Sequence, residues 1–167
     1  EIDQWTTGGT THRMDAILTA GAEYTLHEVS APDGYCVAAD QKFTVNADGS
    51  LTSVKLTDVS TKVQISKTTI TGDSELEGAK LEVRDLSGNA LDSWTSGKEA
   101  HMITAKLTAG QTYVLHETAA PNGYVVSNDI EFTVNADGTV TKVIMKDDTT
   151  KVEISKKAEN GLPLSGA

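Results

Sequence analysis

Along residues 62–147 apolar and polar side chains alternate with a period of two, and no stretch sustains a helical period. The alternation predicts seven strands: KVQISK (62–67), AKLEVRD (79–85), ALDSWT (90–95), MITAKL (102–107), TYVLHE (112–117), IEFTV (130–134) and TVTKVIMKD (139–147). Turn-forming clusters separate them: TGDSELEG, SGN, SGKE, TAGQ, APNG and NADG. Seven short strands in fewer than 90 residues predict an antiparallel, Ig-like β-sandwich. NADG reads as a hairpin turn with its glycine in a left-handed conformation, in preference to a calcium loop.

The pattern is itself repeated. A shift of 89 residues lays Trp5 on Trp94, Tyr24 on Tyr113, Glu28 on Glu117, Tyr35 on Tyr124 and Lys67 on Lys156. Residues 5–67 and 94–156 agree at 35 of 63 positions without a gap. The expected organisation is a tandem array: a first copy lacking its opening strands (1–59), a complete copy (60–148) and the first strand of a third (149–167). LPLSGA (162–167) superficially resembles a sortase sorting signal, but its place in the repeat matches ELEGA (75–79) and predicts an ordinary turn. The linker DDTTKV has neither glycine nor proline, so successive copies should form a fairly stiff row.

Strand parity isolates the candidate chemistry. Val63, Ile65 and Lys67 share one face; so do Tyr113, Leu115 and Glu117, and Val143, Met145 and Asp147. The partial copies repeat the arrangement with Tyr24, Leu26 and Glu28, with Val54, Leu56 and Asp58, and with Val152, Ile154 and Lys156. His116 and Asp148 fall on the outward parity. Three strands thus each end an apolar face with one ionisable residue, and isolated buried charges are costly, so the three should meet. One reading is a buried ion cluster that fixes strand register. The other is a reaction: desolvation disfavours charged forms, and a neutral amine held against a carboxyl carbon can attack it while a second carboxyl moves protons.

Composition narrows the partners. The chain has 167 residues, 38% of them apolar, a mean hydropathy of -0.27 and a formal charge of -10. That acidity argues against nucleic acid. No apolar run approaches the roughly 18 residues of a membrane span, so no membrane contact is expected, and any export signal or anchor would lie outside this segment. The single cysteine, Cys36, cannot form an internal disulfide and has Val125 as its counterpart, which suits a half-buried strand residue. Neither a metal-ligand cluster nor a phosphate-cradling loop is evident, and no cofactor or metal is expected.

Taken together, ISK (65–67), LHETAAPNGY (115–124), FTVNADGTV (132–140) and VIMKD (143–147) resemble the Cna B-type, or SpaA-type, domains of Gram-positive pilins and surface adhesins. The resemblance covers residues 61–148, and both partial copies conform. It implies a transthyretin-like sandwich holding a spontaneous intramolecular isopeptide bond. By position, Lys67 is the implied nucleophile, Asp147 the acceptor and Glu117 the proton-shuttling acid, with Glu28 the corresponding acid of the first copy. An aspartate acceptor implies release of water. The implied role is an extracellular stalk, attached to a cell wall or pilus, whose partners are neighbouring repeats. The alternative is an adhesive module gripping a host or matrix protein. Asp58 and Lys156 lack partners in their own copies. They belong with segments outside this stretch, or they join chain to chain by strand complementation; the latter would leave about ten residues matching 80–89 missing from the junction. A turnover enzyme is not expected.

Overall fold

The computed structural model describes residues 1–72 and 74–166. Asp73, within the expected TGDSELEG turn, and Ala167, at the end of LPLSGA, lie outside the described residues. All eleven extended elements are strands: β1 (Glu23–Leu26), β2 (Tyr35–Cys36), β3 (Gln41–Thr44), β4 (Val59–Ser60), β5 (Lys62–Thr69), β6 (Lys80–Arg84), β7 (Ala90–Thr95), β8 (His101–Thr104), β9 (Thr112–Ala119), β10 (Ile130–Thr133) and β11 (Val140–Asp147).

Strands β5 to β11 form a sandwich of two sheets, ordered β10-β9-β6-β7 and β11-β5-β8. Burial follows the alternation predicted from sequence: Val63, Ile65, Leu81, Val83, Leu115, Val143 and Met145 point inward and are almost fully buried. Each such side chain contributes about 1.5–3 kcal/mol by leaving water. Tyr113 and Phe132, in register across β9 and β10, close one end of this core with ring centroids 6.1 Å apart.

Three details depart from the expectation. First, β5 and β11 run parallel, from Val140 beside Lys62 to Asp147 beside Thr69, although every other pair is antiparallel. A parallel neighbour requires a long crossover, and here the five intervening strands supply it. Second, NADG is not a hairpin. It carries the chain from β10 in one sheet to β11 in the other; Gly138 is left-handed at φ 78°, and Asn135 Nδ2 donates to Thr139 Oγ1 at 2.9 Å. Third, the strand expected over 102–107 ends at Thr104, because Ala105 has a left-handed φ of 52°, incompatible with an extended ladder.

The first copy keeps its local contacts and one antiparallel ladder, β1 with β3, the counterpart of β9 with β10, without the rest of the sandwich. Tyr24 Oη accepts from Thr19 N at 2.9 Å, as Tyr113 Oη accepts from Thr108 N at 2.9 Å. Trp5 stacks on His12 as Trp94 stacks on His101, each at 4.1 Å. Yet residues 51–58, the counterpart of β11, form no strand, and Leu26 and Val54 are only half-buried. The physical reason is that β11 is an edge strand whose ladder partner is the lysine-bearing β5, and among the described residues no such strand lies beside 51–58. The parity Val54, Leu56, Asp58 survives as an alternation of half-buried and exposed positions. Residues 151–156 are likewise exposed and unpaired by strand, while the following turn closes as its counterpart does: Leu164 N donates to Lys156 O at 2.9 Å, as Leu76 N donates to Lys67 O at 2.6 Å.

A matched pair of substitutions tests this asymmetry. Leu115→Ala should cost about 2–5 kcal/mol in guanidinium unfolding of the complete copy. Leu26→Ala, at the equivalent half-buried position, should cost well under half of that. Equal losses would mean that the first copy has a closed core.

Candidate functional site

Lys67, Glu117 and Asp147 meet at one end of the sandwich core. Lys67 sits near the end of β5 opposite Met145, so its side chain rises beside Asp147, the next inward residue of β11. Glu117 comes from β9 in the facing sheet, in register with Leu81. Strand pairing places the amine and one acid side by side, and sheet packing brings the second acid down on them. The three side chains are 0–1% exposed.

The geometry is close. Lys67 Nζ donates to Asp147 Oδ1 and lies 3.0 Å from Glu117 Oε2. Glu117 Oε2 also accepts from the backbone N–H of Ser127 at 2.7 Å. Ser127 Oγ lies 2.6 Å from Asp147 Oδ1, and also contacts the Lys146 carbonyl. On the approach side, the Lys67 backbone N–H donates to Glu75 Oε2 at 2.9 Å, which pins the strand that presents the amine. Glu117 Oε1 and Asp147 Oδ2 are buried with no hydrogen-bond partner among the described residues.

That arrangement is poorly suited to a purely structural ion cluster. Fully ionised, it holds two carboxylates against one ammonium away from water, with two carboxylate oxygens unsatisfied. Each unsatisfied buried oxygen costs on the order of 1–3 kcal/mol. What the site can do is condense: the amine touches one acid, and the second acid is within proton-transfer reach of the same nitrogen.

The partial copies hold fragments of the same site. Glu28 Oε2 accepts from Ala38 N at 2.6 Å, the counterpart of the Glu117–Ser127 contact. Asp58 is half-buried, Lys156 is exposed, and neither makes a salt bridge among the described residues. The structure therefore assembles the complete trio, and among the described residues Lys156 pairs with neither Glu28 nor Asp58. His116 faces outward onto Asp129 at 2.7 Å, and Asp148 pairs with Lys151 at 2.6 Å. Ser127 escaped the sequence reading, because it lies in the loop after β9 where strand parity says nothing, and its counterpart is Ala38. The contact that both copies share is a backbone N–H, which no side-chain pattern reveals.

Comparison with known proteins points one way. The family model for the SpaA prealbumin-like fold domain matches residues 1–60 and again 61–149. Among solved structures, the Bacillus anthracis TIE protein is similar at 25% identity and a TM-score of 0.52, over 77% of this chain. The chain spans only 25% of that protein's length. A C-terminal fragment of the pilus adhesin SpaC from Lactobacillus rhamnosus GG shares the fold at 18% identity and a TM-score of 0.50, over 81% of this chain and 79% of the fragment. The shaft pilin SpaA from the same organism aligns at 17% identity and a TM-score of 0.47, over 79% of this chain and 66% of its own. No curated protein sequence matched.

The charge imbalance of the trio makes a prediction of its own. Lys67→Met leaves two acids facing each other in the core and should destabilise the complete copy by about 3–5 kcal/mol. A wholly apolar site, with Lys67→Met, Glu117→Leu and Asp147→Leu, should be more stable than Lys67→Met alone by about 1–4 kcal/mol in chemical denaturation. A triple variant no more stable than the single would mean that stranded carboxylates are not the cause.

Proposed function

The chain belongs to the SpaA prealbumin-like fold family, and from that premise we propose that its complete repeat makes its own Lys67–Asp147 isopeptide bond and serves as a stalk segment of an extracellular surface protein or pilus. The observation that carries the reading is the solvent-free contact of one amine with two acids.

The chemistry balances within the trio. A proton passes from the Lys67 ammonium to the Asp147 carboxylate, giving a free amine and a carboxylic acid. Nζ attacks Asp147 Cγ, and the proton shed by nitrogen goes to Glu117 Oε2. Glu117 returns that proton to the departing hydroxyl; water leaves, and an amide joins the side chains. Ser127 is a positioning residue, holding Asp147 through Oγ and Glu117 through its N–H. Fixed proximity replaces the activation that the reaction needs in solution. It proceeds once per molecule, so the protein is structural and not a turnover enzyme.

The bond suits a stalk for two reasons. It closes a span of 80 residues, and the loop-entropy treatment of disulfides assigns such a span about 4.5 kcal/mol. It also redirects force. Tension enters β5 at Lys62 and leaves β11 at Asp147, and the two strands are parallel neighbours. With the amide in place, load crosses from residue 67 to residue 147 and bypasses the strands between them. An amide is indifferent to redox conditions, which fits a chain with one cysteine.

In the first copy the Glu28–Ala38 hydrogen bond favours the same reading: Glu28 and Asp58 await a lysine strand alongside 51–58. We propose that a preceding segment of the polypeptide, or the Lys156 strand of a second chain, supplies it.

Intact mass tests the proposal. The purified chain should weigh one water less than its sequence requires, and both Glu117→Ala and Lys67→Arg should restore the full mass. Full mass in the unaltered, folded protein would overturn it.

A further inference from the structure

Adjacent residues of β9 point to opposite faces, so His116 and Glu117 work on opposite sides of one strand. Both reach the loop that leads from β9 into β10. Inside, Glu117 Oε2 accepts from the Ser127 N–H at 2.7 Å. Outside, His116 Nδ1 meets Asp129 Oδ1 at 2.7 Å; an aspartate carboxylate only accepts, so Nδ1 carries the proton. The β9–β10 register ends with Leu115 opposite Ile130, and His116 with Asp129 extends it by one step as a cross-strand pair. Only Asn128 separates the two gripped positions. Consecutive Cα atoms lie about 3.8 Å apart, so a shift of Asp129 is felt at the Ser127 amide.

The same two grips occur in the first copy. His27 Nδ1 meets Asp40 Oδ1 at 2.6 Å, and Glu28 Oε2 accepts from Ala38 N at 2.6 Å. There β1 has β3 as its ladder partner and, among the described residues, no counterpart of β6 beside it. Neither a closed core nor a lysine is therefore needed to set the acid. In the second copy Glu82 of β6 stands in register with His116 but is held by Arg84 at 2.7 Å. The loop side chains differ between copies: Cys36, Ala38 and Ala39 stand where the second copy has Val125, Ser127 and Asn128. The histidine, the glutamate and the aspartate are the same in both. Side-chain exposure is 28% at His116 and 54% at Asp129, and pairs so open to solvent add little to global stability. A local task explains the pair better.

We infer that His116 and Asp129 are a positioning pair for the buried acid. They fix the end of the loop from outside the sheet, which sets the Ser127 N–H and so holds Glu117 Oε2 at its 3.0 Å from Lys67 Nζ. Glu117 Oε1 has no hydrogen-bond partner among the described residues, so apart from the lysine itself the Ser127 bond is what orients the carboxylate. The acid is thereby preset by its own hairpin, independently of β5 and β11. In the condensation Glu117 takes and returns a proton at Oε2, and misplacing a reacting group by an ångström costs rate while leaving the fold intact. The effect on rate rests on the proposed crosslinking reaction; the placement of Glu117 does not.

Two readouts keep placement and reaction apart. In a Lys67→Arg background, where the crosslink cannot form, Asp129→Ala should accelerate hydrogen exchange at the Ser127 amide about ten-fold or more and leave the β5 amides unchanged. Asp129→Asn, which keeps an acceptor for Nδ1–H, should stay within about three-fold of the parent. Should Asp129→Ala disturb the β5 amides as well, His116→Ala, which keeps the carboxylate, should still accelerate exchange at Ser127 alone. In the Lys67 chain, made by cell-free synthesis and followed by intact mass, Asp129→Ala should lose water about ten-fold more slowly, with Asp129→Asn near the unaltered rate. Unchanged Ser127 exchange in both alanine variants, or an asparagine variant as fast as the alanine one, would overturn the inference. An unslowed loss of water in Asp129→Ala would overturn it too. A chain that never loses water would sink the crosslink instead, and the exchange comparison would then decide the placement by itself.

Discussion

The closure of the complete repeat turns on one contact, the buried meeting of the Lys67 amine with the acids of Asp147 and Glu117. Two of these groups lie on adjacent parallel strands and the third descends from the opposite sheet, so the site exists only when strand register and sheet packing are both correct. An apolar trio would have stabilised such a core at lower electrostatic cost. The penalty of three ionisable groups in a dry core is therefore better explained by chemistry than by packing. The proposed condensation would consume one amine and one acid and leave a bond where there was a charge imbalance.

The parallel pairing of β5 with β11 gives that bond its mechanical sense. In a sandwich whose first and last strands lay in different sheets, a crosslink between them would staple the layers. Here the strands are neighbours, and force applied at the two ends of the repeat pulls them past one another in shear. The proposed amide would fix them at the point where the load leaves. The same pairing explains the contrast between the copies: without a lysine strand, residues 51–58 have no ladder partner, and the apolar face they share with Tyr24 and Leu26 stays half open.

Much of this is legible in the chain itself. Alternation located all seven strands of the complete copy, and parity placed Lys67, Glu117 and Asp147 on inward faces. The 89-residue shift identified which residues of the partial copies correspond. What alternation cannot carry is direction and connection. Parallel and antiparallel neighbours bury the same residues, so the β5–β11 pairing left no trace, and an NADG turn reads alike whether it joins neighbours or crosses between sheets. Backbone contacts are equally silent. The N–H of Ser127 and the left-handed Ala105 act through main-chain atoms, which residue identity reports only faintly.

The central claim is that a covalent bond joins β5 to β11, and peptide mapping addresses it most directly. Trypsin acting on the denatured protein should release a branched species in which residues 63–80, uncut at Lys67, are joined to residues 147–151 with the loss of one water. Fragmentation should place the branch at Lys67 and Asp147. Recovery of 63–67 and 147–151 as separate linear peptides, in full yield from folded protein, would contradict the account.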